Sequence, residues 1–297
     1  MRVVVASDAL AGLSAAGASE LIAGAFMERG AEVVVVPLGV EGEALAAAVA
    51  VAAPAATLVS PVDAVELGRF LAEADGDLVV DLTGCRVDDL AREALDAFDA
   101  QPVAALKVAG EAWAGRRLVA LVPEGQPERP LTGLTGMAAT EGRERGADLA
   151  AVLAADSVAG RWAAHLGLVP GPGAGAAGGA GLLIQAMGGV VTDPLTFLEE
   201  SYGLAGTLGQ ADVVVTGAES LDFHAVGGPV VKRVVSLAGE ALRPVIAVVG
   251  RNFVSARELR LAGLESAYPL LPGAGDEPST PEQLAEMAAK VAATWSW

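Results

Sequence analysis

The stretch ADVVVTGAESLDFHAVGG, Ala211 to Gly228, decides how this chain folds. Residues 212–216 are apolar and β-branched almost throughout, the pattern of a strand covered on both faces. The chain then breaks into a polar loop holding Thr216, Gly217, Glu219, Ser220, Asp222 and His224. Working outward, short runs of the same kind recur at 2–6, 32–38, 77–82, 118–122 and 244–249. Between them lie stretches rich in Ala, Leu and Glu that predict helices over 15–29, 43–52, 62–74, 87–100, 138–166, 230–241 and 281–294. The last begins with Thr280, Pro281 and Gln283, a capping-box start. Strands alternating with helices predict the α/β class with a mostly parallel, doubly wound sheet.

With 297 residues, the chain is long enough for two domains at roughly 100 to 200 residues each. Its principal breaks are VPEGQPERP at 122–130 and LVPGPGAGAAGGAG at 168–181. Nineteen basic residues against 37 acidic ones leave a net charge of −18, which repels nucleic-acid backbones and anionic membrane surfaces. Aromatics are only 4%, too few for a base-stacking platform. No uninterrupted apolar run reaches the roughly 18 residues of a membrane span. A single cysteine, Cys85, cannot form an internal disulfide, and the expectation is a cytoplasmic protein.

Several segments could carry chemistry. Ser7 and Asp8 end the first strand, where open α/β sheets bind ligands, although Asp8 and Ser14 could equally cap the following turn and helix. Glu41 and Glu43 flank Gly42 ahead of a helix and could serve its dipole. Between Pro170 and Gly181, six glycines could let backbone N–H groups approach an anion, or could simply join two domains. The loop with Glu219, Asp222 and His224 suits metal binding or proton transfer from a hydroxyl. Cys85 reads as a buried, inert thiol and His165 as a packing residue.

Taken in order, these segments resemble the type I glycerate kinases, two-domain α/β enzymes that phosphorylate D-glycerate with ATP. VVVASDALAGLSA resembles the family's first strand and its Pro-Asp-Ser-Phe-Lys-Gly-Ser-Leu-Ser-Ala loop. VPLGVEGEAL lies where the family has Val-Ala-Asp-Gly-Gly-Glu-Gly-Thr, and PLTGLTGMAA is similar to Asn-Pro-Leu-x-Gly-x-x-Gly-Ala. VPGPGAGAAGGAGLL resembles Pro-Gly-Ala-Gly-Ala-Ala-Gly-Gly, and TGAESLDFH resembles Thr-Gly-Glu-Gly-x-Leu-Asp-x-Gln. Four family residues are replaced: the first-loop lysine by Ala11, the Thr-Gly-Glu glutamate by Ala218, a second lysine by Pro229 and the glutamine by His224. The family's aspartate before Gly-Gly-Glu falls on Gly39 in this reading, and the middle of the chain is shortened.

The resemblance implies a Rossmann-like domain built from 1–57 and 206–297, with 58–205 inserted as a second α/β domain. It implies ATP and Mg²⁺ as cofactors and glycerate or a related small carboxylate as substrate. A homodimer is among the expected assemblies. Asp222 and Asp8 are the expected catalytic residues, Asp222 taking the substrate hydroxyl proton. Asp8 and Glu219 are the expected metal ligands. Gly173, Gly175, Gly178, Gly179, Lys232 and Arg233 are expected at the cofactor, and Ser7, Ser14, Glu41, Glu219 and His224 at the substrate. Phosphoryl transfer needs cations on the developing phosphate charge, so the loss of both motif lysines predicts weak or absent kinase activity. The rival expectation is an inactive homologue that binds a small carboxylate, a nucleotide or a protein.

Overall fold

The computed structural model describes residues 1–222 and 226–296. The chain runs through β1 (Arg2–Val5), α1 (Ala15–Met27), β2 (Glu32–Val35) and α2 (Gly42–Ala52). Next come β3 (Thr57–Val59), α3 (Ala64–Glu73), β4 (Leu78–Asp81), α4 (Arg92–Asp96), α5 (Pro102–Trp113) and β5 (Leu118–Leu121). Then follow α6 (Met137–Arg145), α7 (Leu149–His165), α8 (Ala180–Ala186), β6 (Val190–Thr192), α9 (Pro194–Tyr202) and α10 (Leu204–Gly209). The chain ends with β7 (Val213–Leu221), α11 (Gly228–Glu240), β8 (Val245–Asn252), α12 (Ala256–Leu261), β9 (Ser266–Pro269) and α13 (Pro281–Trp295). Two compact units result: Met1–Ala53 with Leu198–Trp297, and Pro54–Phe197.

The first unit holds a parallel sheet ordered β2-β1-β7-β8-β9. From β1 the chain crosses to β2 on one side, and from β7 it steps to β8 and β9 on the other. The order therefore reverses between β1 and β7, the point where such sheets open a crevice at their carboxyl ends. Val3 pairs with Val33 and with Val213, so β-branched side chains stack across the centre of the sheet. One face is closed by Ile22 and Phe26 of α1 and Leu284 and Val291 of α13, all fully buried. Burying a side chain such as Phe26 stabilises by about 1.5–3 kcal/mol. α11 packs on β7 through its buried apolar stripe, Val230, Val231 and Val234.

The second unit holds a parallel sheet ordered β3-β4-β5-β6. Its two central strands are buried along their whole length. Trp113, the largest fully buried side chain, satisfies its indole by donating to the Leu71 carbonyl at 3.2 Å.

Several elements differ from the sequence expectation for identifiable reasons. The helix expected over 138–166 is two helices, because Gly146 takes φ 67° at the end of α6 and Asp148 starts α7 by accepting from the Ala151 amide at 2.7 Å. The helix expected over 87–100 shrinks to the single turn α4, since Leu90 (φ 62°) and Ala91 (φ 57°) are left-handed. β7 and β8 continue past their expected ends, pairing as far as Leu221 with Asn252. Among the described residues no helix is long and apolar enough to cross a membrane.

Candidate functional site

The loop after β1 is built around a tight turn. Leu10 and Leu13 exchange both backbone hydrogen bonds, at 3.1 and 3.0 Å, with Ala11 (φ 57°) and Gly12 (φ 72°) between them. Two consecutive positive φ angles are the signature of a two-residue type I′ turn. It aims the Ala11 methyl inward, where it is fully buried in the core with Leu10 and Ile22. Ser7 is fully buried too, its amide donating to Ser19 Oγ and its hydroxyl to the Asp8 carbonyl. Ser14 caps α1 by accepting from the Gly17 amide at 3.2 Å.

Asp8 sits half-buried at the switch point, its amide donating to the Gly217 carbonyl of β7. Burial pushes its carboxyl above the ordinary range; the Ala9 amide, donating to Oδ1 at 2.7 Å, pulls the other way, and the negative charge of Glu41 raises it further. Glu41 is exposed at the head of α2, without a side-chain cap bond. Asp8 and Glu41 are thus carboxylates whose charges act on one another, and among the described residues no cluster of three or more His, Cys, Asp or Glu side chains gathers as a metal site. Gly39 corrects the alignment of this loop: a Cβ there would lie 2.4 Å from the Ala44 carbonyl carbon. No aspartate fits at 39. Gly39 answers the family's first glycine, and its aspartate falls on buried Leu38.

The residues after Gly217 lie within β7 rather than in a loop. Glu219 is on the strand, and its carboxylate accepts from Ser279 Oγ at 3.1 Å. Asp222 comes one residue after the strand, five beyond the Gly217 level of Asp8; at about 3.3 Å per residue that is roughly 16 Å along the sheet. The backbone thus sets Asp222 apart from Asp8. His224 lies outside the described residues. In α11, Lys232 is exposed, whereas the Arg233 guanidinium is paired with Glu199 at 2.7 Å.

The glycine-rich segment belongs to the second unit. A Cβ on Gly173, Gly175 or Gly178 would lie 2.4, 2.1 or 1.9 Å from the carbonyl oxygens of Pro127, Pro130 and Val87, and one on Gly179 would meet Leu90 at 2.9 Å. These glycines let the chain segments touch backbone to backbone.

Those contacts build a cavity of about 270 Å³ at the carboxyl ends of β4 and β5. Thr83, Arg86, Arg129, Glu141, Arg145 and Gly178 line it. Thr83 on its wall is held by buried Asp81, which accepts from the Thr83 amide at 2.9 Å and hydroxyl at 2.6 Å. Arg145 is paired with Glu141 at 3.2 Å. Burial pushes the Glu141 carboxyl up, against the pull of Arg145 and Arg129. None of these side chains was expected from the sequence. DLTGCRVDD (81–89) and VPEGQPERP (122–130) read there as a lone thiol and a domain break, yet each follows a buried strand, the signal that marks a ligand edge.

Two compact units, each built on a parallel sheet, define a two-unit α/β protein. The glycerate kinase family model matches residues 122–296, more than half of the chain. The chain belongs to the glycerate kinase family. The crystal structure of “putative glycerate kinase 2” from Salmonella typhimurium LT2 superposes with a TM-score of 0.71, covering 99% of this chain and 98% of that one at 19% identity. Uncharacterized proteins of Mycobacterium bovis and Mycobacterium tuberculosis are each 31% identical over 185 residues, 59% of this chain and 49% of theirs. The matched region thus spans about half the length of these curated relatives.

Proposed function

We propose that the chain binds a small hydroxy acid of the glycerate class at the switch-point crevice of the first unit, and transfers a phosphoryl group from ATP to it far more slowly than an ordinary family member. The observation that carries this reading is Ala11. At the position of the family's lysine stands a fully buried methyl on a turn that leaves no room for a side chain to reach solvent. The second lysine position is Pro229, at the start of α11, and the neighbouring Arg233 is held by Glu199. A cation on the transferring phosphoryl group is worth factors of about 10³ to 10⁵ in rate.

The acids support continued binding. Asp8 and Glu41 are the oxygen donors suited to Mg²⁺, which when bound supplies charge neutralisation on phosphate oxygens. Exposed Ser14 with Glu41 would meet the acid's polar groups. The role of Asp222 at a substrate hydroxyl rests on the family resemblance alone, since the sheet sets it roughly 16 Å from the level of Asp8. Assignment of the nucleotide to Gly173, Gly175, Gly178 and Gly179 rests on the family resemblance, since their open sides are packed against carbonyls. A second reading, an active kinase with a displaced cation, is favoured by Lys232, exposed one turn into α11.

The test is a thermal-shift series with D-glycerate, ATP and Mg²⁺ beside a coupled ADP-release assay. A shift with D-glycerate and turnover near background is expected. Robust turnover in the parent overturns slow transfer, and its loss in Lys232→Ala establishes the second reading.

A further inference from the structure

We infer that the cavity at the carboxyl ends of β4 and β5 is a binding site for a small oxyanion, held by Arg86 and Arg129. The inference concerns the second unit alone and does not depend on the function proposed for the first. Three observations carry it.

The first is charge. Of the three arginines on the cavity, Arg145 is tied to Glu141 at 3.2 Å, whereas among the described residues neither Arg86 nor Arg129 has a carboxylate within ion-pair distance or a side-chain hydrogen bond. Both guanidinium groups keep their forked donors free of carboxylates, and a planar or tetrahedral oxyanion is the species that would satisfy them. The acids on the wall make no ion pair with either: Glu141 is paired with Arg145, although the charge of Arg129 also acts on it, and Asp88 and Glu144 are exposed, as is Arg86.

The second is position and strain. Thr83 and Pro123 bring the wall to the carboxyl ends of the two central parallel strands, the edge where α/β sheets take ligands. Ala177, on the same wall, is left-handed at φ 45° and fixed by its amide donating to Gln126 Oε1 at 2.8 Å. A non-glycine residue held there costs of order 1–3 kcal/mol and persists where surrounding structure imposes it, often at ligand sites.

The third is size. About 270 Å³ lies just below the range of roughly 300–1,000 Å³ that holds a drug-sized ligand. A single phosphate or carboxylate group on a small molecule fits.

The experiment is calorimetric and thermal-shift titration of the full chain with inorganic phosphate, and separately with acetate, at constant ionic strength set with chloride. Phosphate is expected to bind and raise the unfolding temperature. Arg86→Ala and Arg129→Ala should each weaken it about tenfold or more, as loss of a charge-assisted hydrogen bond does. Lys107→Ala, an exposed cation on α5 away from the cavity, should leave it unchanged. Binding of acetate in place of phosphate, with the same two arginine dependences, assigns the site to carboxylates and keeps the inference. No binding of either anion, or binding that survives both arginine substitutions, overturns it. Asp8→Asn separates the two readings: phosphate binding that persists in it while D-glycerate produces no shift in the parent leaves this site standing and the proposed function rejected.

Discussion

The two parallel sheets present opposite chemistry at the same architectural position. At the carboxyl ends of β1 and β7, the side chains offered are Asp8, Glu41 and Glu219, and the place of a cation is taken by a core methyl, Ala11. At the carboxyl ends of β4 and β5, Arg86, Arg129 and Arg145 line a cavity together with Asp88, Glu141 and Glu144, and of the arginines only Arg145 is ion-paired among the described residues. The carboxyl edge of a parallel sheet provides open, preformed space whatever the residues. Residue choice decides whether that space attracts a cation or an anion, which is why fold membership in the glycerate kinase family does not by itself determine activity.

The sharpest way to break this contrast is to return the family's cation to the first unit. Ala11→Lys would place an ammonium in a core formed by Leu10, Ile22 and Phe26, with no acid in that cluster. An uncompensated buried charge costs about 3–5 kcal/mol, so the denaturant midpoint should fall steeply and no kinase activity should appear. Ala11→Gly, which loses one methyl but relaxes the positive φ, should change stability by less than about 1 kcal/mol. A stable, active Ala11→Lys variant would show that the turn can open and that slow transfer has another cause.

In the second unit, the glycines can be broken instead. Gly175→Ala would set a Cβ 2.1 Å from the Pro130 carbonyl oxygen, a backbone atom that cannot swing aside. Overpacking of this kind costs about 1–3 kcal/mol. The measurable outcome is a lower unfolding midpoint together with weaker phosphate binding, because the segment carrying Ala177 and Gly178 must shift away from Val87. Full stability would mean that the three segments are not as closely packed as these distances require.

How much of this was legible beforehand follows from what each element depends on. Apolar β-branched runs such as 2–6 and 118–122 fix buried parallel strands by composition alone, and those were readable. Strands of three or four residues with mixed patterns, Thr57–Val59, Val190–Thr192 and Ser266–Pro269, were not, because they are completed by neighbours distant in sequence. α5 also escaped, although Pro102 at its start is a helix signal. For the site, Asp8 was visible from its place after a strand, and its neighbour Glu41 from its own. The arginine cavity was invisible because Arg86 follows β4, Arg129 follows β5 and Arg145 ends α6, each unremarkable as sequence. The Gly39 register likewise needed the Ala44 backbone 2.4 Å away to reveal it.

A smaller effect sharpens the acidic side of the comparison. Because the Asp8 carboxyl is raised in the folded state, the folded chain holds its proton at pH values where the unfolded chain has lost it. The stability contribution is present in full below the ordinary aspartate value and is lost as pH rises through the folded value, leaving the charged form unfavourable at neutral pH. Asp8→Asn should therefore unfold at a slightly higher temperature than the parent at pH 7, with the difference closing near pH 3. Mg²⁺ should narrow the same gap by stabilising the parent alone. A variant less stable than the parent at pH 7 would mean that Asp8 is held by a favourable partner.

The smallest expected effect tests the other side, through Cys85 on the wall of the arginine cavity. Burial pushes its thiol up to about 11, with the charges of Asp63, Glu66 and Asp81 adding to the shift. The nearby arginines would act the other way if they reached the sulfur, so the thiol reports whether their field is confined to the ligand space. At pH 8 an ordinary thiol near 8.5 is about one-quarter thiolate, whereas one near 11 is about 0.1% thiolate, a difference of roughly 200-fold. The more basic thiolate is intrinsically a better nucleophile by about tenfold, so net labelling by a disulfide reagent should be roughly 20-fold slower than for an ordinary thiol. The rate should still rise about tenfold per pH unit at pH 9.5, since the thiolate fraction is far from saturation there. A rate that levels off below pH 9 would place the arginine field on the sulfur itself, and the cavity's positive charge would then be directed at the protein's own thiol rather than at an incoming anion.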